Sequence, residues 1–307
     1  MLHRLFIFAV LAGLASQEQH PVTVERKPVY LPAGVAEKPF DVTRHLIHLE
    51  DIQPGGPPRD GIPSLDHPAF TSAAEADRIL KPKDVVLGVE FAGVAKAYPV
   101  RILNWHEVLN DDVGEQPILV TWCPLCGSGV VYDPRADGRR LTFGVSGRLY
   151  KRNLLLYDHE TDSLWSQIAG KAVTGPLAGT PLRLLPVIVT TWVSWKRDHP
   201  ATLVLSFQTG FRRDYLRDPY RDWPLDRRLS LVVSHEGITR VYPYSELKKV
   251  GHPLKDELAG LPITIVFDPK DQVATVRSSG EEQPPHFVSF FADAKSFFPR
   301  ADVFKAR

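Results

Sequence analysis

The chain has 307 residues, and its 37 Lys plus Arg against 36 Asp plus Glu leave a net charge of +1. That balance excludes a nucleic-acid field and a polybasic membrane patch, so no nucleic-acid partner is expected. The length is ample for a real core, and two cysteines are too few for a disulfide scaffold.

In chain order, Arg4 supplies a positive start, residues 5–14 (LFIFAVLAGL) an apolar run, and Gly13, Ala15 and Ser16 a small-residue end. This order predicts a secretory leader over residues 1–16 and a periplasmic or extracellular protein. The run is shorter than the roughly 20 residues of a membrane span, and no later segment approaches that length. No membrane span is therefore expected after leader removal.

The 27 prolines and short helical patches predict an α+β fold, a β-rich single domain. Residues 17–75 read as an extended arm, with turn chemistry at 55–63 (GGPPRDGIP). Ile62, Leu65 and Phe70 are the arm residues able to dock on the body at 76–307. A short helix is expected at 74–80. VVLGVE and AKAYPV then read as two strands joined at Ala92-Gly93. A helix is expected over 100–109 after Pro99, then an apolar strand over 117–122 that runs into Cys123.

The same order returns near the C-terminus. LSLVVSHEGITRVYPYSEL aligns with VVLGVEFAGVAKAYPVRIL, which pairs Gly93 with Gly237 and Tyr98-Pro99 with Tyr242-Pro243. A slip of one or two residues pairs His106 with His252, and Cys123-Pro124 with Asp268-Pro269. This predicts two pseudo-repeated strand-strand-helix-strand units, about 85–134 and 229–276. The β-rich insertion between them, 139–228, has strands around LTFGVSG, LLLYD and SLWSQ and a helix over 191–199 capped by Thr190 or Thr191. Trp165, Trp192 and Trp195 are its apolar anchors.

The chemistry centres on Trp122-Cys123-Pro124-Leu125-Cys126-Gly127. One reading is a metal knuckle. Two thiolates on a tight turn face one ion, and Gly127 permits the positive φ such a turn needs. Further ligands would be histidines: His106, on the helix before the cysteine strand, and then His252. Thiolate and imidazole together favour copper first, with zinc or iron as alternatives. A second reading is a thiol-disulfide oxidoreductase, in which Cys123 attacks, Cys126 resolves and His106 tunes the pKa. The Gly-Ser-Gly-Val-Val-Tyr that follows favours turn and strand, which argues against a thioredoxin fold. A third is a binding scaffold with a structural disulfide, whose small ring stabilises only weakly.

The chain also resembles a known family. The residues that carry the likeness are Asp60-Gly61-Ile62-Pro63, Tyr98-Pro99-Val100, His106-Glu107-Val108, the cysteine motif and Phe143-Gly144-Val145-Ser146-Gly147. Tyr157-Asp158, Ser163-Leu164-Trp165-Ser166-Gln167 and Thr191-Trp192 belong with them. Together they are similar to the bacterial domain-of-unknown-function family 3179, over about residues 50–275. The resemblance implies an exported protein in which the cysteine loop, His106 and the middle motif act as one unit. His159 stands where the family pattern tends to have arginine.

Among other polar residues, His45 and His48 are expected in solvent and Asp60 in a turn. Ser146, Tyr150, Asp158 and Gln167 form either a small polar pocket or ordinary sheet hydrogen bonds. No nucleophile elbow, Walker loop, dinucleotide fingerprint or calcium loop occurs. The working expectation is an exported metal-site protein with ligands Cys123, Cys126 and His106, serving an exported redox or metal-delivery partner.

Overall fold

The computed structural model describes residues 21–34, 37–278 and 283–306, so the expected leader at 1–16 lies outside the described residues. The described chain is mostly strand, with a few short helices. The elements that position the cysteines begin with β1 (Val85–Phe91), β2 (Val94–Pro99), α1 (Val100–His106), β3 (Val108–Val113), β4 (Gln116–Cys123) and β5 (Ser128–Asp133). The insertion supplies β6 (Phe143–Tyr150), β7 (Asn153–Asp158), β8 (Ile188–Thr191), α2 (Trp192–Asp198) and β9 (Leu203–Leu205). The last part holds β10 (Leu229–His235), β11 (Ile238–Pro243), β12 (His286–Phe290), α3 (Phe291–Phe297) and β13 (Asp302–Val303).

Both β1–β2 and β10–β11 are two-residue hairpins. Their turn residues, Ala92-Gly93 and Glu236-Gly237, all have positive φ, the twist that suits such a connection. Around each hairpin the pairing is alike. β8 lies antiparallel on β1 with Thr191 opposite Val85, and β12 lies antiparallel on β10 with Phe290 opposite Leu229. A helix then carries the chain across. β9 adds parallel to β2 with Val204 opposite Ala97, and β13 adds parallel to β11 with Val303 opposite Val241.

A nine-stranded sheet joins the two parts in the order β13-β11-β10-β12-β5-β4-β3 and then Leu65–Asp66, with Arg183–Leu185 added on β5. β4 is an interior strand of it and is buried from Pro117 to Cys123, which is why PILVTWC is apolar without alternation. The later strand Leu261–Asp268 alternates buried and exposed and ends exposed at Asp268. The main core packs the cysteines with Tyr132, Phe143, Trp165, Phe287 and Phe298.

The segment 17–75, expected as an arm, supplies edge strands to three sheets. Ile52–Pro54 pairs with β6, Leu65–Asp66 with β3 and Phe70–Ser72 with β9. Its helix, Ala73–Ala76, is shorter than the expected 74–80 and is closed by a Ser72/Glu75 capping box. α2 is capped as expected, the Thr191 side chain accepting from the Ser194 amide at 3.4 Å.

A buried ionic triad anchors the first hairpin. Lys96 Nζ donates to Asp111 at 2.9 Å and the Tyr98 hydroxyl donates to the same carboxylate at 2.6 Å. The second hairpin has the same arrangement. Arg240 and Tyr242 both donate to Asp256, at 2.8 Å and 2.7 Å. Breaking a buried pair strands a charge, so Lys96→Met is expected to lower stability by about 3–5 kcal/mol. Adding Asp111→Leu should recover much of the loss. Urea unfolding of the two variants measures both effects.

Candidate functional site: a buried cysteine pair

The cysteines occupy a strand–turn–strand corner. β4 delivers Cys123, Pro124–Gly127 make the turn, and Ser128 pairs back onto Cys123. Gly127 has φ +55°, and a Cβ there would lie 2.4 Å from the Phe290 ring, so only glycine fits. The Phe290 amide donates to the Cys126 carbonyl at 2.7 Å, and the Ser289 hydroxyl donates to the same oxygen at 3.2 Å. Thus β12 clamps the turn to the β10–β11 part of the molecule.

Both thiols are free and buried. Their surroundings differ. Burial works against charge on Cys123, but the Cys126 thiol and the amides of Leu154, Cys126 and Leu125 outweigh it and hold Cys123 below the usual thiol value. Cys126 is raised well above that value, first because it hydrogen-bonds Cys123 and then through burial and the nearby charges of Cys123 and Asp293. Its sulfur faces the Arg152 carbonyl at 3.7 Å and receives the Asn153 amide at 3.6 Å. Of the two sulfurs, Cys123 is therefore the one whose ionised form the surroundings favour.

Behind the turn lies a satisfied polar network. Gln167 accepts from Ser128 at 2.8 Å and from Asn153 at 2.7 Å, and donates to Thr121 at 3.1 Å. Gln167 thus fixes both strands of the turn and the amide that meets Cys126. Of the other middle-motif residues, Ser146 bonds the Leu155 carbonyl and Asp158 receives the Trp165 indole. Those are internal sheet contacts.

Two carboxyls flank the pair, and neither was weighed from sequence. Glu107 follows α1 in a left-handed conformation, φ 58°, which brings its side chain inward beside Cys123. Its backbone is locked: the amide donates to Leu103 and the carbonyl accepts the Trp122 amide, both at 2.8 Å. Burial first, and then the Cys123 charge, raise its pKa to about 8. Tyr220 donates its hydroxyl to the Glu107 carboxyl at 3.0 Å. Asp293 on α3 is likewise raised by burial, and it hydrogen-bonds Cys126.

His106 lies one residue from Glu107, yet both its ring nitrogens are engaged. Nδ1 pairs with the Pro63 carbonyl at 2.8 Å and Nε2 with the Tyr215 hydroxyl at 2.7 Å. Burial lowers its pKa. His252 sits in the loop after Tyr244–Leu247, with Nε2 donating to the Leu247 carbonyl at 2.8 Å. Among the described residues, no group of three or more His, Cys, Asp or Glu side chains is placed to hold a metal ion. The ring hydrogen bonds of the two histidines run to Pro63, Tyr215 and Leu247. His45, expected in solvent, is mostly covered and bonds the Ile47 carbonyl at 2.9 Å. Asp60, expected in a turn, also accepts the Tyr157 hydroxyl at 2.6 Å.

The segment 206–228 carries no helix or strand and straps the polar face of α1. Trp105 donates to the Arg217 carbonyl at 3.2 Å, and Asn104 to Asp218 at 3.2 Å. Tyr215 and Tyr220 reach His106 and Glu107. A chamber of about 270 Å³ opens between this strap and the cysteine turn, with Trp122, Pro124 and Gly127 on its turn side.

The family described as Protein of unknown function, DUF3179, matches residues 59–298. The chain belongs to the DUF3179 family. That span takes in Glu107, both cysteines, Gln167, Tyr220 and Asp293, so the whole corner lies within the DUF3179 region. No curated protein and no solved structure matches the chain.

The Glu107 shift has a signed consequence. Its folded pKa, about 8, lies above the ordinary 4.5, so the folded form holds a proton that the unfolded form loses. Stability should therefore fall as pH rises from about 4.5 to about 8, by roughly 1.4 kcal/mol per unit from this group. Glu107→Gln should flatten that slope. Urea midpoints measured across the window check it, and an unchanged slope would contradict the assignment.

Proposed function

We propose that the chain is an exported thiol–disulfide protein in which Cys123 attacks, Cys126 resolves and Glu107 moves the proton. The observation that carries this reading is the asymmetry of the buried pair: backbone amides surround Cys123, while Asp293 and the Arg152 carbonyl face Cys126. A thiolate is the nucleophile in disulfide exchange, and this arrangement supplies one without a histidine.

The Cys123 thiolate attacks one sulfur of a substrate disulfide and forms a mixed disulfide. The substrate S–S bond breaks, and its departing thiolate takes the proton of Glu107. Cys126 then loses its proton to the Glu107 carboxylate and attacks Cys123. The Cys123–Cys126 disulfide forms and the second substrate thiolate leaves, taking that proton. Two electrons pass from the dithiol to the substrate. Run backwards, the same steps oxidise a dithiol. His106 keeps Tyr215 in place rather than taking part.

We further infer that the two hairpin parts are copies of one unit, with the cysteines retained in one. Supporting this are the matched Thr191–Val85 and Phe290–Leu229 registers and the two Tyr–carboxylate–cation triads. Residues 188–205 and 286–304 are then the closing pieces of each copy. The second copy, with exposed Asp268 at the cysteine position, is scaffold that clamps the working turn through Phe290.

A copper or zinc site is the second reading, favoured by the amide-rich turn around the Cys123 sulfur. It needs a donor beyond the two thiolates, and among the described residues no third His, Cys, Asp or Glu side chain is placed to supply one. One experiment separates the readings. The purified protein is equilibrated with graded ratios of reduced to oxidised dithiothreitol, thiols are trapped and weighed, and metal is assayed in the same samples. We expect a single two-electron transition from two thiols to none, lost in Cys123→Ser. One equivalent of metal that blocks oxidation and disappears in Cys123→Ser would replace this reading with the metal one.

A further inference from the structure

We propose that the chamber beside the cysteine turn binds one half of a small, largely apolar disulfide bearing a carboxylate, with Arg227 taking the carboxylate. This names the substrate class for the thiol–disulfide reading and rests on it.

Access sets the size. Both sulfurs are buried, and Trp122, Pro124 and Gly127 beside them line the chamber. Its volume, about 270 Å³, is below the roughly 300–1,000 Å³ of drug-sized sites, so it admits about one ring or a short aliphatic arm. The disulfide of a folded protein, held on a broad surface, does not enter such a space.

Lining sets the chemistry. Val85 and Val100 come from the first hairpin part, Leu229 and Val288 from the second. Their meeting makes a dry wall that gains by burying apolar surface. The polar groups stand on the strap side. Asp218 accepts on Oδ1 from the Asn104 side chain at 3.2 Å and the Tyr220 amide at 2.9 Å. Arg227 is held at the rim by donating Nη2 to the Tyr220 carbonyl at 2.7 Å. It is exposed, and among the described residues no carboxylate lies within salt-bridge distance of it. Its remaining donors suit a bidentate carboxylate. Tyr220 joins the two ends of the site, because its carbonyl fixes Arg227 and its hydroxyl meets Glu107.

Three disulfide reagents test this on the full-length protein: dithiobis(nitrobenzoate), anionic and aromatic; dithiodipyridine, neutral and aromatic; and cystamine, cationic and aliphatic. Each rate is divided by that of the urea-unfolded chain, which removes intrinsic reactivity. We expect the anionic aromatic reagent to lead the neutral one, and cystamine to come last, with about tenfold between first and last. Arg227→Gln should abolish the anionic advantage and leave the neutral reagent unchanged. Val85→Trp, at a partly exposed wall position, should slow both aromatic reagents more than cystamine. Equal ratios for all three reagents, or no effect of Arg227→Gln, would overturn the proposal. If the pair still oxidises with dithiothreitol in those cases, only the chamber assignment fails. If neither dithiothreitol nor any reagent oxidises it, the thiol–disulfide reading fails as well.

Discussion

An ionised sulfur inside a protein must be repaid for the water it has lost, and the corner at Cys123 is built around that requirement. The tight turn points the Leu125 and Cys126 amides at the sulfur, and β7 adds the Leu154 amide. The neighbouring thiol supplies a fourth donor. Burial first, and then charge on Cys123, favours the protonated Glu107, while the hydrogen bond with Cys123, then burial and nearby charge, favour the protonated Cys126.

Rigidity of the corner comes from outside the motif. Gln167 ties both turn strands to Asn153, and Phe290 closes on the Cys126 carbonyl from the other half of the molecule. The Gly127 contact with the Phe290 ring shows how close that closure is. In the copy reading, the second hairpin part has lost its own chemistry and gained a mechanical task. Its Asp268 lies exposed at the end of a strand and accepts the Lys270 amide.

Much of this was legible in the sequence because it depends on local pattern. Tyr98-Pro99 and Tyr242-Pro243 mark strand ends before helices, the two Gly-containing turns mark hairpins, and Gly-Ser-Gly after Cys126 marks turn and strand rather than helix. What escaped depends on distance or on a single backbone angle. His106-Glu107 falls inside the helix expected over 100–109, with the histidine as the chemical residue, whereas the helix ends at His106. The left-handed Glu107 turns the carboxyl, not the imidazole, toward Cys123. Tyr220 and Asp293 arrive from segments far along the chain, and residues in a loop with no periodicity give no signal of where they fold back. β8 lies within the expected insertion 139–228 and β12 beyond the expected second unit 229–276, so neither closing strand shows in the repeat pattern.

The account rests on Cys123, and not Cys126, being the thiolate. Limited alkylation with iodoacetamide across a range of pH, followed by peptide mapping, reads this directly. The account predicts that Cys123 is modified first, with a midpoint below the ordinary thiol value, and that Cys126 stays protected until far higher pH. Modification of Cys126 first, or of both sulfurs at the rate and pH of free thiols, would contradict it.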